Sequence, residues 1–240
     1  MKAYLLAAGL GSRLKPITDK IPKCLVPIAG HPMLDWWAKL FIESGVDEVL
    51  INTHYMAEQV HAYIEEYNAR KTGLRFIETY EEELIGSGGT VYSNRDFVKD
   101  EDSFYICYAD NLTDVNLRDL ARFHNEKKPP LTMALFHTNV PKQCGIAQLD
   151  DSGLITAFVE KPENPVSDLA NAGIYVASKE VFDYFPGEGF SDIGKQVLPA
   201  LIGKMYGWEI PQYLIDIGTM PNYEKAQADW KYNYDTDSLT

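Results

Sequence analysis

A glycine-rich turn followed by two cations is the stretch of this sequence whose residue types best suit chemistry. Residues 4–8 form an apolar run that predicts a buried parallel strand, and Gly9 and Gly11 after it allow a sharp turn because they carry no Cβ. Exposed amides in such a turn form a concavity for anions, and Arg13 adds a fork of donors for phosphate oxygens. Lys23 follows ten residues later. Together these residues predict a phosphate-binding site.

Two common phosphate-binding loops are excluded by the residues around this turn. A Walker loop ends in Gly-Lys-Ser or Gly-Lys-Thr, which occurs nowhere in the 240 residues. The dinucleotide-binding fingerprint requires a third glycine where Leu14 stands. It also requires an acidic residue at the end of the second strand, where Asn52 and Thr53 stand instead. The turn therefore predicts a phosphate site of another class.

Charge is distributed unevenly along the chain. The net charge is −13, which argues against a nucleic-acid partner and against an anionic membrane surface. Residues 1–34 nevertheless hold five lysines and arginines against one aspartate, a local charge of +4, so the other 206 residues carry −17. A small basic pocket in an acidic body suits a compact polyanion such as a nucleoside triphosphate.

Composition predicts a globular cytoplasmic protein. Hydrophobic residues make up 45% of the chain, and no apolar run approaches the roughly 20 residues that span a bilayer. The first residues lack the pattern of an export signal. The cysteines are widely spaced and form no C-x-x-C pair, which predicts reduced thiols and no zinc site: Cys24, Cys107 and Cys144.

Strands and helices alternate in the first half of the sequence. Hydrophobic periodicity predicts strands at 46–53, 74–77, 103–109 and 131–138 and helices at 32–42, 56–70 and 116–127, with a further helix after the glycine-rich residues 86–89. This alternation predicts a doubly wound, Rossmann-like α/β fold, in which helices flank a mostly parallel mixed sheet and ligands bind at the carboxyl ends of its strands.

The second half of the sequence changes in character. Strands predicted at 145–149 and 154–160 flank the turn residues 150–153, which indicates a small β-hairpin excursion. Further strands are predicted at 171–177 and 212–215, and helices at 179–185, 191–205 and 221–232. Residues 1–232 are expected to form a single domain, followed by a frayed polar tail at 233–240.

Two aspartates stand at predicted strand ends, where a metal ion could bind. Asp110 follows the strand at 103–109, and Asp216 follows the strand at 212–215. Mg²⁺ is usually held by one or two carboxylates together with phosphate oxygens and water. An aspartate after a strand is also a common turn residue, so position alone leaves both interpretations open.

The residues from Leu6 to Pro27 resemble the signature of the sugar-1-phosphate nucleotidyltransferases, L-A-A-G-x-G-x-R-L-x-P-x-T followed by P-K-x-L-x-P. The resemblance extends over about residues 2–226 and includes a strand-end G-D, here Ala109-Asp110, and a late D-I-G-T that begins at Asp216. It implies that Mg²⁺ is bound by Asp110 and Asp216. It also implies nucleotide contacts from Leu6, Ala8, Gly9, Gly11, Ser12, Arg13, Lys23 and Asp110.

Further motifs of this family imply contacts to the base and to the sugar phosphate. Residues 83–89 resemble E-x-L-G-T-A-G, with serine and glycine at the threonine and alanine positions, and imply base contacts from Glu83, Gly86, Ser87 and Gly88. An E-K-P motif and an N-x-G motif imply a sugar-binding half at 141–232, after a nucleotide-binding half at 1–140. The sugar-phosphate residues implied are Gly145, Glu160, Lys161, Asn171 and Gly173.

The family resemblance implies an enzyme whose reaction needs no nucleophilic side chain. A sugar-phosphate oxygen attacks the α-phosphorus of a nucleoside triphosphate, and pyrophosphate leaves. Because both reactants are anions, the protein mainly has to position them and neutralise charge, with Arg13, Lys23 and Asp110 as the catalytic residues.

The sequence most resembles the short mannose- and manno-heptose-1-phosphate guanylyltransferases, which make GDP-sugars for glycan biosynthesis. A carboxylate at Glu83 favours guanine, whose N1–H and N2 amino group are adjacent donors. The alternatives are uridylyl, thymidylyl or cytidylyl transfer to another sugar phosphate or phosphorylated alcohol. A catalytically dead regulatory subunit would be expected to lack Arg13, Lys23 or a metal-binding aspartate, and all are present. The sequence leaves the oligomeric state open, a homo-oligomer included.

Overall fold

The structure is a computed structural model that describes residues 1–231, so the predicted tail at 233–240 lies outside the described residues. Its strands, numbered along the chain, are β1 Lys2–Leu6, β2 Pro27–Ile28, β3 His31–Pro32, β4 Glu48–Thr53, β5 Arg75–Tyr80, β6 Phe104–Tyr108, β7 Asn111–Thr113, β8 Leu131–His137, β9 Gly145–Leu149, β10 Ile155–Glu160, β11 Leu169–Ala177, β12 Tyr206–Glu209 and β13 Leu214–Asp216.

The α-helices lie between these strands at nearly the predicted positions. They are α1 Met33–Glu43, α2 Ala57–Ala69, α3 Gly86–Ser93, α4 Leu117–Lys127, α5 Leu198–Ala200 and α6 Met220–Asp229. A π-helix at Ile193–Val197 runs directly into α5. None of the helices in residues 1–231 is both long and apolar enough to cross a membrane.

Within the described residues, the first of two compact units contains Met1–Leu84, Tyr108–Leu117 and residues 212–231. In this unit β1 pairs with β4 and β4 with β5, all in parallel, so α1 and α2 serve as crossover connections. The carboxyl ends of these strands therefore lie at one edge, where the glycine-rich turn follows β1. The antiparallel pair β7–β13 places Asp216 opposite Asn111, one residue after Asp110.

The core of the first unit lies beneath the stretch between the glycine-rich turn and α1. This stretch forms three short 3₁₀ turns and the β2–β3 hairpin instead of one long element. The buried apolar residues of this stretch form one cluster with residues in or next to α1, β7, β13 and α6, and Ile17 and Ile21 pack against it partly buried. The cluster contains Leu14, Val26, Ile28, Met33, Trp36, Leu112, Ile217, Ala226 and Trp230. This packing fixes the backbone on either side of Lys23.

The second compact unit contains Ile85–Cys107 and Arg118–Pro211, and its longest strand is β11. In this unit β11 pairs in antiparallel with β6, β8 and β9. The predicted hairpin is present as the antiparallel pair β9–β10, in which Gly145 is opposite Glu160. Strand β12, which the sequence analysis did not predict, pairs in parallel with β8.

The helix predicted at 179–185 is a 3₁₀ helix, Lys179–Tyr184. Two further departures from the predicted elements occur at glycine-containing segments. The glycine-rich residues 86–89 were predicted to precede a helix, but they form the first turn of α3. The helix predicted at 191–205 ends at Ala200 and begins as a π-helix, so the chain is free to turn into β12. Both differences arise because tertiary contacts override the local helix propensity on which the predictions depend.

Buried His124 in α4 predicts a measurable pH dependence of stability. Its Nδ1 lies 2.9 Å from Thr132 Oγ1, and burial lowers its pKa from 6.5 to about 4. As the pH falls, His124 therefore takes up a proton in the unfolded chain before it does so in the folded protein. The free energy of unfolding is thus highest above about pH 6.5 and decreases toward pH 4.

We expect the free energy of unfolding to fall between pH 7 and pH 4 by about 2–3 kcal/mol more in the wild type than in His124→Gln. Urea titrations across this range measure the difference. Only the pH dependence is compared, so a lower overall stability of the variant does not affect the test. Parallel pH profiles would contradict the assignment.

Candidate active site

Lys23 is held between two aspartates that are far from it in sequence. Its Nζ donates to Asp110 Oδ2 at 2.5 Å and to Asp216 Oδ1 at 3.3 Å. Lys23 is only 9% exposed, although its flanking sequence does not mark it as a core residue. The structure thus brings together three of the predicted site residues.

Backbone hydrogen bonds set the positions of the two aspartates. The Ala109 N–H donates to the Leu6 carbonyl at 3.0 Å, which places Asp110 beside the end of β1. The Ile217 N–H donates to the Asp110 carbonyl, also at 3.0 Å, and so joins the residues after the two strands. Two strand ends therefore bring both carboxylates to the same place, where the family resemblance implied a shared site.

The charges of this cluster depend on one another. Burial alone would lower the pKa of Lys23, but Asp110 and Asp216 outweigh it, so the pKa is raised and the ammonium stays charged. Burial and the nearby Asp110 raise the pKa of Asp216, and Lys23 opposes the rise. Two neighbouring carboxylates thus create a site that favours a cation between them.

The donor set at these aspartates fits a divalent cation that takes most of its ligands from elsewhere. Residues 1–231 contain no group of three or more histidine, cysteine, aspartate or glutamate side chains placed to hold a metal. Two carboxylates are nevertheless sufficient for Mg²⁺ when phosphate oxygens and water complete its coordination. A Cβ on Gly218 would lie 2.6 Å from Lys23 Nζ and 2.7 Å from Asp216 Oδ1, so glycine keeps this space open.

The glycine-rich turn places Arg13 at the same aspartate. Gly11 adopts φ +63°, and a Cβ there would lie 2.8 Å from Thr18 Cγ2, so the turn requires glycine. The Arg13 side chain is 66% exposed, and its guanidinium lies 3.9 Å from Asp216 Oδ2. Arg13 and Lys23 thus approach the two oxygens of one carboxylate. An anion bound beside Asp216 would meet both cations.

The other nucleotide-binding residues predicted in the signature line the same turn. Leu6 and Ala8 are buried, and Gly9 and Ser12 are exposed. The two buried residues therefore anchor the turn in the core, and the two exposed residues form its solvent-accessible surface.

Two polar residues support this turn although the sequence did not predict a role for either of them. Asn52 accepts a hydrogen bond from the Ala7 N–H at 2.7 Å and donates one to Glu81 Oε1 at 2.8 Å. Glu81 is only 7% exposed, whereas the neighbouring Glu82 and Glu83 are exposed. The available signal was Asn52 itself, a polar residue at the end of an apolar strand. The base contact predicted for Glu83 stays a prediction.

The predicted base-binding residues in α3 hold a neighbouring segment of the second unit. The N–H groups of Gly88 and Gly89 donate to the Ser191 carbonyl at 2.9 and 3.2 Å. Ser87 Oγ accepts a hydrogen bond from the Ile193 N–H at 2.9 Å. Gly86 has φ +78°, and a Cβ there would lie 2.3 Å from the Ser191 carbonyl oxygen. Close packing with this segment therefore requires glycine at Gly86, and the predicted base contacts are untested.

Three of the predicted sugar-phosphate residues form one group in the second unit. A Cβ on Gly145 would lie 2.5 Å from Phe158 Cζ and 2.6 Å from Glu160 Oε2, so glycine lets β9 pack closely against both side chains. Lys161 Nζ lies 3.7 Å from Glu160 Oε1. Burial raises the pKa of Glu160, and Lys161 opposes the rise. The group thus combines a carboxylate and an exposed ammonium, which suit hydroxyl donors and a phosphate respectively.

The remaining two predicted sugar-side residues form a local turn within β11. Asn171 Oδ1 accepts a hydrogen bond from the Gly173 N–H at 2.9 Å, and Asn171 Nδ2 donates to the Tyr175 hydroxyl at 2.7 Å. Gly173 adopts φ +66°, and the pairing register with β8 shifts between Asn171 and Tyr175. The turn gives Asn171 a fixed orientation, and its predicted role stays a prediction.

Comparison with known proteins identifies relatives along nearly the whole chain. Residues 2–232 match the family described as nucleotidyl transferase. A UTP–glucose-1-phosphate uridylyltransferase from Synechocystis is 30% identical over 94% of this chain and 62% of its own length. A mannose-1-phosphate guanylyltransferase from Mycobacterium tuberculosis is 29% identical over 95% of this chain and 64% of its own length. The chain thus spans a little over three fifths of these curated relatives.

Solved structures of similar fold confirm the predicted α/β class. A putative glucose-1-phosphate thymidylyltransferase from Bacillus anthracis has a TM-score of 0.86 at 23% identity, covering 99% of this chain and 98% of its own. HddC from Yersinia pseudotuberculosis has a TM-score of 0.80 at 24% identity, with 96% and 99% covered. Both likenesses show the fold.

Proposed function

Because the chain belongs to the nucleotidyl transferase family, we propose that it transfers a nucleotidyl group from a nucleoside triphosphate to a sugar 1-phosphate and releases pyrophosphate. The observation that carries this proposal is Lys23, fixed between Asp110 and Asp216 beside the glycine-rich turn. The site offers two cations and a pair of carboxylates, which can position two anionic reactants and neutralise their charge, and a direct substitution at the α-phosphorus needs no nucleophilic side chain.

Each of the four charged side chains of this site has a part in the proposed reaction. The sugar-phosphate oxygen attacks the α-phosphorus while the bond to pyrophosphate breaks, so negative charge builds up on the phosphate oxygens. Lys23 and Arg13, which converge on Asp216, stabilise that charge. Mg²⁺ held by Asp110 and Asp216 would neutralise the triphosphate and orient it when bound.

The acceptor side of the proposed reaction is assigned to the second unit. Glu160 would accept hydrogen bonds from sugar hydroxyls, and Lys161 would contact the sugar phosphate, with Gly145 allowing close approach. Asn171 and Gly173 would contribute from their turn in β11. Residues 1–140 would mainly bind the nucleotide, and residues 141–232 would mainly bind the sugar phosphate.

GTP is the nucleotide that we propose, and the side chain that distinguishes it is Glu83. A carboxylate accepts both N1–H and the N2 amino group of guanine, whereas uracil and thymine present one N–H between two carbonyls. Losing such a contact typically costs ~1–3 kcal/mol, so we expect kcat/KM for GTP to exceed that for UTP, dTTP and CTP by at least about tenfold.

Glu83→Gln is expected to reduce this preference. The adjacent exposed Glu82 provides a matched control, because Glu82→Gln changes charge equally at nearly the same place. Steady-state kinetics with each triphosphate check the prediction. Equal or better turnover with UTP or dTTP, or equal effects of the two substitutions, would show that another group reads the base.

Uridylyl or thymidylyl transfer is the second candidate. The 30% identity to a uridylyltransferase and the exposure of Glu83 favour it, since an exposed carboxylate can leave base recognition to the backbone. Pyrophosphate release from each of four nucleoside triphosphates with mannose 1-phosphate or glucose 1-phosphate distinguishes the candidates. Release that does not depend on the sugar phosphate would contradict the proposed function.

A further inference from the structure

The carboxylate of Glu160 lies between two glycines that come from different elements. Gly145 belongs to β9, and Gly194 belongs to the π-helix Ile193–Val197. A Cβ on Gly194 would lie 3.1 Å from Glu160 Oε2 and 3.4 Å from Glu160 Cδ. A methyl group at either glycine would therefore lie closer to this carboxylate than an ordinary van der Waals contact allows.

The π-helix cannot easily move away from Glu160, because the segment before it is fixed. The Ser191 carbonyl accepts hydrogen bonds from the N–H groups of Gly88 and Gly89, and the Ile193 N–H donates to Ser87 Oγ at 2.9 Å. The buried Val197 anchors its other end. A methyl group added at Gly194 would therefore shift the Glu160 carboxylate by a few tenths of an ångström and leave the π-helix in place.

Glycine at this position is not explained by backbone conformation. Gly194 does not adopt a positive φ, unlike Gly187 and Gly189 nearby. In helical backbone alanine is favoured over glycine, so local stability alone would select alanine here. π-Helical turns are often found at functional sites. The charges of Asp192 and Lys195 also act on Glu160, which indicates that the π-helix forms part of its surroundings.

From this geometry we propose that Gly194 is a positioning residue for sugar-phosphate recognition, which keeps the Glu160 carboxylate where a sugar hydroxyl donates to it. This inference rests on the proposed function. No motif of the sequence indicated Gly194. The proposal predicts that the methyl group added by alanine at this position impairs function but is tolerated in folding.

The test is the steady-state kinetics of Gly194→Ala with the triphosphate and the sugar 1-phosphate that the wild type uses best. We expect the KM for the sugar phosphate to rise by about fivefold or more, since small displacements of a substrate-contacting group are costly. The KM for the triphosphate should stay within about twofold of the wild-type value, and the thermal midpoint should be unchanged or higher. A lowered midpoint or an unchanged KM for the sugar phosphate would overturn the proposal.

A double-mutant cycle with Glu160→Ala separates positioning from a general packing effect. Once the carboxylate is removed, Gly194→Ala should cause no further change in the KM for the sugar phosphate, whereas fully additive effects would contradict the proposal. Failure of the proposed function would be seen earlier, as a wild-type protein that shows no turnover dependent on a sugar phosphate.

Discussion

Replacing Arg13 or Lys23 with alanine is expected to lower kcat by about 10²-fold or more, as for the loss of one electrostatic donor in other active sites. Both cations converge on Asp216, where the charge of the transferred phosphate is proposed to build up. Lys20→Ala is the matched control, because Lys20 is an exposed cation of the same stretch. Values of kcat within about twofold of the wild type for both variants would remove these residues from the catalytic assignment.

The two variants should differ in stability. Arg13 is largely exposed, so Arg13→Ala should unfold at the wild-type midpoint. Lys23 is buried between two carboxylates, so Lys23→Ala leaves those carboxylates facing each other without a cation. Its stability should be reduced at neutral pH and should recover as the pH falls and Asp216, whose pKa is already raised, takes up a proton. Thermal unfolding at several pH values checks this difference.

Asp110→Asn and Asp216→Asn are each expected to abolish measurable turnover, because the amide keeps the shape of the side chain and loses the charge that a divalent cation requires. Excess EDTA should likewise silence the wild type, and added Mg²⁺ should restore it. Asp19→Asn is the control, since Asp19 is an exposed acid of the same unit that pairs with Lys15. Activity that survives EDTA, or near-normal kcat in both variants, would contradict the proposed role of these carboxylates.

The site residues that could be predicted from the sequence are those that follow a predicted strand or belong to a motif. Asp110 and Asp216 lie 87 and 193 residues after Lys23, yet each of the three was identified because it follows a predicted strand or belongs to the signature. The family resemblance then implied that Asp110 and Asp216 bind the same ion. Glu160 and Lys161 were identified through their motif in the same way.

What the sequence could not show depends on contacts between distant segments. The Asn52–Glu81 hydrogen bond and the Ser191 contacts with Gly88 and Gly89 join elements whose local patterns give no sign of pairing. Strands β7 and β12 are too short for periodicity to detect, and the π-helix at Ile193–Val197 has no distinct sequence pattern. No sequence pattern distinguishes Gly194, and only the structure shows that it lies against Glu160.

Nucleotidyl transfer at the α-phosphorus can be tested by following the fate of each phosphate of the substrate. GTP labelled at the α-phosphate or at the γ-phosphate is incubated with the protein, Mg²⁺ and mannose 1-phosphate, and the products are separated. We expect the α-label to appear in a nucleotide-sugar only when the sugar phosphate is present, and the γ-label to appear among the products only in pyrophosphate. Label from the γ-phosphate on the sugar, or release of inorganic phosphate without a nucleotide-sugar, would contradict this expectation.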